Sequence, residues 1–289
     1  MEPVSEKPFQ LVECPRDAMQ GWSRFIPTEK KIAYINTLLQ VGFHTIDFGS
    51  FVSPKAIPQM ADTKEVLAGI RLDGSTSKLL AIVANLRGAE EAISFEQITY
   101  LGFPFSISET FQQRNTNSSI EESLKRVEEI QHLCLKNHKH LVIYLSMGFG
   151  NPYGDAYNEE ILLNWADEMV SRGINTISLA DTVGVASPEQ ISFALQTLIP
   201  KYPQTTIGVH LHSTPENWQQ KLAAAVHAGC QRIDGALKGI GGCPMAGDEL
   251  VGNMNTEWVI SYLEENNQLK GLDKKALNKS LQVASEIFV

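Results

Sequence analysis

The 289-residue sequence predicts an α/β fold, a (β/α)8 (TIM) barrel with additional C-terminal helices, occupying 1–289 as a single domain. Three observations predict it. Short apolar runs rich in β-branched residues alternate with longer amphipathic runs along the whole chain, the pattern of parallel strands joined by crossover helices. Eight strand candidates fit within one domain length, which suits a closed barrel. Most of the polar residues able to do chemistry then fall at the C-terminal ends of those candidates, the rim where a barrel builds its site. An open doubly wound sheet would also alternate, but its first turn carries glycines. Here that turn is Pro15-Arg16-Asp17-Ala18, and the G-I-G-G run at 239–242 comes only after the last strand.

Taken in order, the strands are expected at 9–14, 45–51, 79–84, 98–106, 141–147, 176–180, 206–211 and 232–237. Helix signals fall between them. Pro27 and the cap candidate Thr28 open a run at 28–39. The S-I-E-E stretch from Ser119 has the form of a capping box and opens 119–136. The run 159–172 stops at Gly173, a C-cap residue. Ser187 and Pro188, a cap followed by a favoured first helical residue, open 188–199. The run 218–228 stops at Gly229, and 255–265 and 274–287 read as closing helices. No linker, low-complexity tract or charge run divides the chain.

Composition narrows the partners. A hydrophobic content of 43% with 20% charged residues fits a soluble globular protein. The net charge of −9 argues against a nucleic-acid surface, although one local Arg or Lys cluster would suffice for a small anion. Four cysteines do not make a disulfide framework in a chain this long, and they lack zinc-ribbon spacing. Cys14, Cys134 and Cys230 read as small buried hydrophobes, Trp165, Trp218 and Trp258 as packing residues. The N-terminal run has no apolar signal-peptide core, and no apolar stretch is long enough for a bilayer. No membrane partner is expected, and a reducing, cytoplasmic setting is.

The most informative pair is His210 and His212, at i and i+2 of the seventh strand candidate. That spacing points both imidazoles to one face, a ready pair of ligands for a divalent ion. Asp17 and Asn253 could add a carboxylate and an amide oxygen. The mixed oxygen and nitrogen set suits Mg²⁺ or Mn²⁺, with Zn²⁺ as the lesser option. Arg16 beside Asp17 could stabilise a developing oxyanion, and Asp47 and Asp181 could orient Arg16 or act as bases. Cys243, in the Gly-rich loop after the last strand, could give or take a proton. Gln20, Ser50, Asn85 and Ser108 fall at the same rim and are expected to touch substrate. Lys55 reads as a solvated surface lysine.

These residues carry a resemblance. The runs E-C-P-R-D-A-M-Q, S-F-V-S-P-K-A-I-P-Q-M, S-I-E-E-S, S-L-A-D-T-V-G-V, V-H-L-H-S-T and G-I-G-G-C-P-M, with residues 108–115, resemble the 3-hydroxy-3-methylglutaryl-CoA lyase family, within the pyruvate-carboxyltransferase-like group of metal-dependent barrels. The likeness runs from about Leu11 to Glu265. The condensing relatives share the Arg-Asp turn and the histidine pair but typically lack the Gly-Gly-Cys-Pro loop. The resemblance implies that Asp17, His210, His212 and Asn253 hold a divalent cation, that Arg16 stabilises an enolate, and that Cys243 is the general acid or base. Asp181 matches an active-site aspartate. The implied reaction is a retro-Claisen cleavage of an acyl-CoA to acetoacetate and acetyl-CoA. The alternative is a lyase or Claisen-type synthase acting on a related hydroxyacyl-CoA or 2-oxo acid. Barrels of this kind often pair through surface helices, which leaves a homodimer open. The chain departs from the family at five places: Ala18 for glycine, Asp47 for glutamate, Asn151 for cysteine, Ser213 for an acidic residue and Lys238 for a small one. These bear on which acyl-CoA is taken.

Overall fold

The computed structural model describes residues 8–242 and 251–289. Its strands are β1 (Gln10–Glu13), β2 (Thr45–Ser50), β3 (Lys78–Ile82), β4 (Ile98–Ser106), β5 (His140–Ser146), β6 (Thr176–Ala180), β7 (Thr206–His210) and β8 (Arg232–Gly235). They pair in parallel in chain order, and β8 closes on β1 to complete the barrel. Each lies within two residues of its sequence expectation.

The helices are α1 (Pro15–Gln20), α2 (Thr28–Leu38), α3 (Thr63–Gly69), α4 (Leu86–Ile93), α5 (Glu109–Thr116), α6 (Ile120–Lys136), α7 (Glu159–Ser171), α8 (Pro188–Lys201), α9 (Trp218–His227), α10 (Thr256–Glu265) and α11 (Lys274–Ile287). Capping signals place several of them. Ser119 and Glu122 form the expected capping box of α6, and Ser187 with Gln190 forms another on α8. Thr28 differs from expectation: its hydroxyl donates to Asp62 Oδ2 at 2.7 Å instead of capping α2. The stretch after β1 is the short helix α1, because Pro15 supplies a helical φ and needs no N–H partner there.

Alternation along the strands sorts the core into two zones. Ile46, Leu79, Leu101, Ile143, Ile177, Ile207 and Ile233 join the helices in one continuous apolar cluster. Trp165 packs on Phe105 and Trp218 on Trp258, as expected. The separate cluster Leu80, Ile82, Val142 and Tyr144, on β3 and β5, fills one side of the barrel interior. The facing side is polar. Tyr144, Ser178 and Gly208 are register neighbours across β5, β6 and β7, and Arg232 follows on β8. Glycine is needed at 208, since a Cβ there would lie 2.8 Å from Arg232 Cβ and Cγ. No helix among the described residues is long and apolar enough to cross a membrane.

Candidate active site

The site grows from the end of β1. Helix α1 starts at once and sets Arg16 and Asp17 side by side, both buried. The Arg16 guanidinium is clamped between two carboxylates. Its Nε lies 3.1 Å and its Nη2 2.6 Å from Asp47 Oδ2, and Nη1 donates to Asp17 Oδ1 at 2.9 Å. Burial works against the guanidinium charge, but Asp47 and Asp17 outweigh it, so Arg16 stays cationic. Burial also pushes the Asp47 carboxyl up to about 6 against the pull of Arg16. Asp47 is thus engaged in holding Arg16, the orienting role of the two left open by the sequence.

Asp17 collects three donors. Oδ1 accepts from Arg16 and from Gln20 Nε2 at 2.6 Å, and Oδ2 accepts from Asn253 Nδ2 at 2.7 Å. Burial alone would raise its pKa, but Arg16, the two histidines and Asn253 bring it below the ordinary value, which keeps it a carboxylate. Gln20, expected to touch substrate, holds Asp17.

Strand β7 delivers His210 at its last residue and His212 two residues on. The ligand atoms of Asp17, His210 and His212 lie within 4.8 Å of one another. His212 Nδ1 lies 3.0 Å from the Thr182 carbonyl, so the proton sits on Nδ1 and Nε2 carries a free lone pair. Burial, then the neighbouring His210, push the His212 pKa down to about 4, which keeps the ring neutral. His210 Nδ1 lies 3.3 Å from Asp234 Oδ2, while its Nε2 faces Asp17 Oδ2 at 3.9 Å. Burial disfavours charge on His210, but the Asp234 and Asp17 carboxylates together outweigh it and raise the pKa.

Asn253 arrives from the far side of the Gly-rich loop. Residues 252–254 return beside the extension of β7, with Ser213 N bonded to Gly252 O and His212 bridged to Asn253. Asn253 Nδ2 donates to Asp17 Oδ2 and to the Ile240 carbonyl. Both partners are acceptors, which fixes the amide orientation and leaves Oδ1 as the free end. Gly241, at φ +112°, permits this approach: a Cβ there would lie 2.4 Å from Asn253 Nδ2.

Two buried polar atoms at this centre, His212 Nε2 and Asn253 Oδ1, have no hydrogen-bond partner among the described residues. Buried lone pairs left this way are costly unless something accepts them. With the Asp17 carboxylate and His210, they form a donor set that fits a divalent cation. A second triad, Cys14, His210 and Asp234, has ligand atoms equally close. It lacks a ready thiolate, because burial and the charges of Asp234, Asp47 and Asp17 push the Cys14 thiol well above its usual value.

Other residues expected at the site have structural partners of their own. Asp181, read as an active-site carboxylate, has both oxygens engaged. Oδ1 accepts from Ala186 N at 3.0 Å, and Oδ2 takes Lys221 Nζ at 2.6 Å. Lys221 also donates to the Gly184 and His212 carbonyls. Asp181 therefore fastens the backbone around His212. Asn85 and Ser108, expected to touch substrate, are helix N-caps. Asn85 accepts from Gly88 N at 2.9 Å; Ser108 accepts from Phe111 N and donates to Asp155. Ser50 ends β2, buried at the rim. Lys238, expected near the closing loop, sends Nζ to Ser285 Oγ on α11 at 3.2 Å. Ser213 Oγ contacts Met254 Sδ, and Asn151 closes a turn on Tyr153 and Asp155. Cys243 lies outside the described residues. Sequence reasoning missed Asp234 and Lys221. Asp234 had a usable signal, since Arg-Ile-Asp places it at a strand end facing the same way as Arg232. Lys221 sits on helix α9, where the strand-end rule does not look.

Known proteins share this chain's fold and much of its sequence. A model of the HMGL-like family matches residues 10–284. The hydroxymethylglutaryl-CoA lyase of Bacillus subtilis is 34% identical over 251 residues, 87% of this chain and 83% of that one. The cytoplasmic 3-hydroxy-3-methylglutaryl-CoA lyase of Rattus norvegicus is 33% identical over 91% of this chain and 76% of its own. An HMG-CoA lyase from Acinetobacter baumannii, solved with coenzyme A and 3-methylmalate, superposes with a TM-score of 0.89 at 30% identity, covering 97% of this chain and 91% of that one. With the closed barrel and the Arg16–Asp17–His210–His212–Asn253 cluster in place, the chain belongs to the HMGL-like family.

Proposed function

We propose that this protein is a divalent-metal-dependent carbon–carbon lyase that cleaves 3-hydroxy-3-methylglutaryl-CoA to acetoacetate and acetyl-CoA. The observation that carries the reading is the pair of unpartnered lone pairs on His212 Nε2 and Asn253 Oδ1, converging with Asp17 and His210 next to a clamped guanidinium. Asp17, His210, His212 and Asn253 would hold the ion. Two oxygen donors and no thiolate favour Mg²⁺ or Mn²⁺ over Zn²⁺. Bound there, the cation supplies Lewis-acid stabilisation of negative charge on substrate oxygen.

The chain's own residues supply the rest. A guanidinium has five N–H donors. Three face Asp47 and Asp17, so two remain to meet the enolate oxygen of acetyl-CoA as the C–C bond breaks. Because both carboxylates fix Arg16 beforehand, little reorganisation is needed when that charge appears. We assign proton transfer to Cys243, and substrate contact at the rim to Ser50. The described cysteines, Cys14, Cys134 and Cys230, are free and buried, which suits the reducing cytoplasm we propose as the setting.

The test mixes metal-stripped protein with 3-hydroxy-3-methylglutaryl-CoA and follows acetoacetate with and without Mg²⁺ or Mn²⁺. Metal-dependent release is expected. Its absence in protein that still binds the ion would assign the site to a different acyl-CoA or reaction.

A further inference from the structure

The two histidines of the site are held in different ways, and the difference reaches into the barrel interior. His212 Nδ1 meets a neutral backbone carbonyl, that of Thr182. His210 Nδ1 meets a carboxylate, Asp234 Oδ2, at 3.3 Å. Asp234 is directly opposite His210 in the β7–β8 register, and its side chain is fully buried. Two residues earlier on the same face of β8 lies Arg232, itself buried, with Nη2 3.6 Å from Asp234 Oδ1, an ion pair too long for a hydrogen bond, so Arg232 acts on Asp234 through charge alone. The Gly208 backbone accommodates the Arg232 stem where any side chain would clash. An arginine inside a barrel is costly unless its charge is used. Here the nearest anion is the one that faces His210.

We propose that Asp234 is the positioning residue for His210 and that Arg232, from the layer beneath, holds Asp234 in that role. The carboxylate accepts a hydrogen bond from Nδ1–H of His210, which fixes the tautomer and turns the Nε2 lone pair toward Asp17. Arg232 is the counter-charge that keeps the carboxylate in place at the end of the row Arg232, Asp234, His210. Either partner behind a ligating imidazole fixes its ring plane and raises its basicity, and a charged carboxylate does so more strongly than a neutral carbonyl. His210 is then the stronger donor of the pair. The inference rests on the metal-site reading above, and it concerns residues that meet neither metal nor substrate.

The experiment compares wild type with Asp234→Asn, Asp234→Ala and Arg232→Met by two readouts. One is Mn²⁺ affinity, by electron paramagnetic resonance of the free ion. The other is the tautomer of neutral His210 in metal-free protein, recorded at a pH high enough to deprotonate the ring, by ¹⁵N–¹H correlation of the imidazole nitrogens, assigned with His210→Gln. Affinity is expected to fall by ~10–100-fold in Asp234→Ala, with Asp234→Asn between it and wild type because the amide oxygen still accepts from Nδ1. Arg232→Met should weaken binding less, in the same direction. The Nδ1–H form should dominate in wild type and Asp234→Asn and be lost in Asp234→Ala. Folded Asp234→Ala with wild-type affinity and an unchanged tautomer overturns the proposal. If Asp234→Ala does not fold, wild-type affinity in Asp234→Asn overturns it instead. Should wild type bind no Mn²⁺, the metal reading fails, while the tautomer spectrum still decides whether Asp234 positions His210.

Discussion

On the β3–β5 side of the barrel interior, Leu80, Ile82, Val142 and Tyr144 fill space by packing. Across from them, β6 to β8 and β1 to β2 present Ser178, His210, Arg232, Asp234 and Asp47, with Asp17 above. Apart from the Tyr144 hydroxyl, buried without a hydrogen-bond partner among the described residues, the first side needs only volume and apolar surface. On the second side the charged and imidazole groups each face a named neighbour, by a hydrogen bond or, between Arg232 and Asp234, by a 3.6 Å ion pair, because a buried charge without one is unstable. The same barrel thus separates a half that sets stability from a half that sets chemistry, and substitutions in each should read out differently.

The largest expected effect is at Arg16. Arg16→Gln removes the cation that faces the developing enolate, and kcat should fall by ~10²–10³-fold, the loss seen when a preorganised oxyanion donor is deleted. Mn²⁺ affinity should change far less than kcat. An equal loss in both would merge Arg16 with the ligand set and break the distinction between holding an ion and stabilising charge.

On the apolar side, Leu80→Ala should cost about 2–5 kcal/mol of unfolding free energy, through lost burial and the cavity left behind. Denaturant unfolding measures it. Mn²⁺ affinity of the folded variant should match wild type; a loss there would show that the two halves are coupled through the barrel.

A smaller effect concerns pH and a carboxyl outside both halves. Glu13 accepts from Leu237 N and from Thr256 Oγ1, the two ends of the segment that carries the Gly-rich loop. Burial pushes its pKa up to about 8, aided by the charge of Glu257. The folded protein therefore binds a proton there that the unfolded chain has released. That contribution is complete below the unfolded carboxylate value of about 4.3 and is lost as pH rises through 8. His44 and His212, pushed down to about 4 by burial, act in the opposite sense but only up to their unfolded value near 6.5. Between about pH 6.5 and 8, Glu13→Gln should flatten the fall in unfolding midpoint relative to wild type. Parallel curves would show that Glu13 does not titrate in this range.

The strands were legible because each is a short, mostly apolar run set between longer amphipathic segments. Helices α3, α4 and α5 were not singled out, since at seven or eight residues each is too short to display a helical period. The site was legible where two rules coincided: strand-end position, and the i, i+2 spacing that puts His210 and His212 on one face. Strand-end position alone does not separate helix capping from substrate contact. It collected Asn85 and Ser108, which sit at strand ends because a helix starts just after them and needs a cap. Asp234 and Lys221 stayed hidden for the converse reason. Their roles depend on what lies across the barrel or on a neighbouring helix, and a single sequence does not display those pairings.

The central claim is that the polar half holds a divalent cation, and titration of metal-free protein with Mn²⁺ tests it most directly. The account predicts one tightly held ion per chain in wild type, retained in Leu80→Ala and lost or strongly weakened in His212→Ala, with each variant checked for folding by circular dichroism. Absence of bound Mn²⁺ in wild type, or undiminished binding in folded His212→Ala, would contradict it.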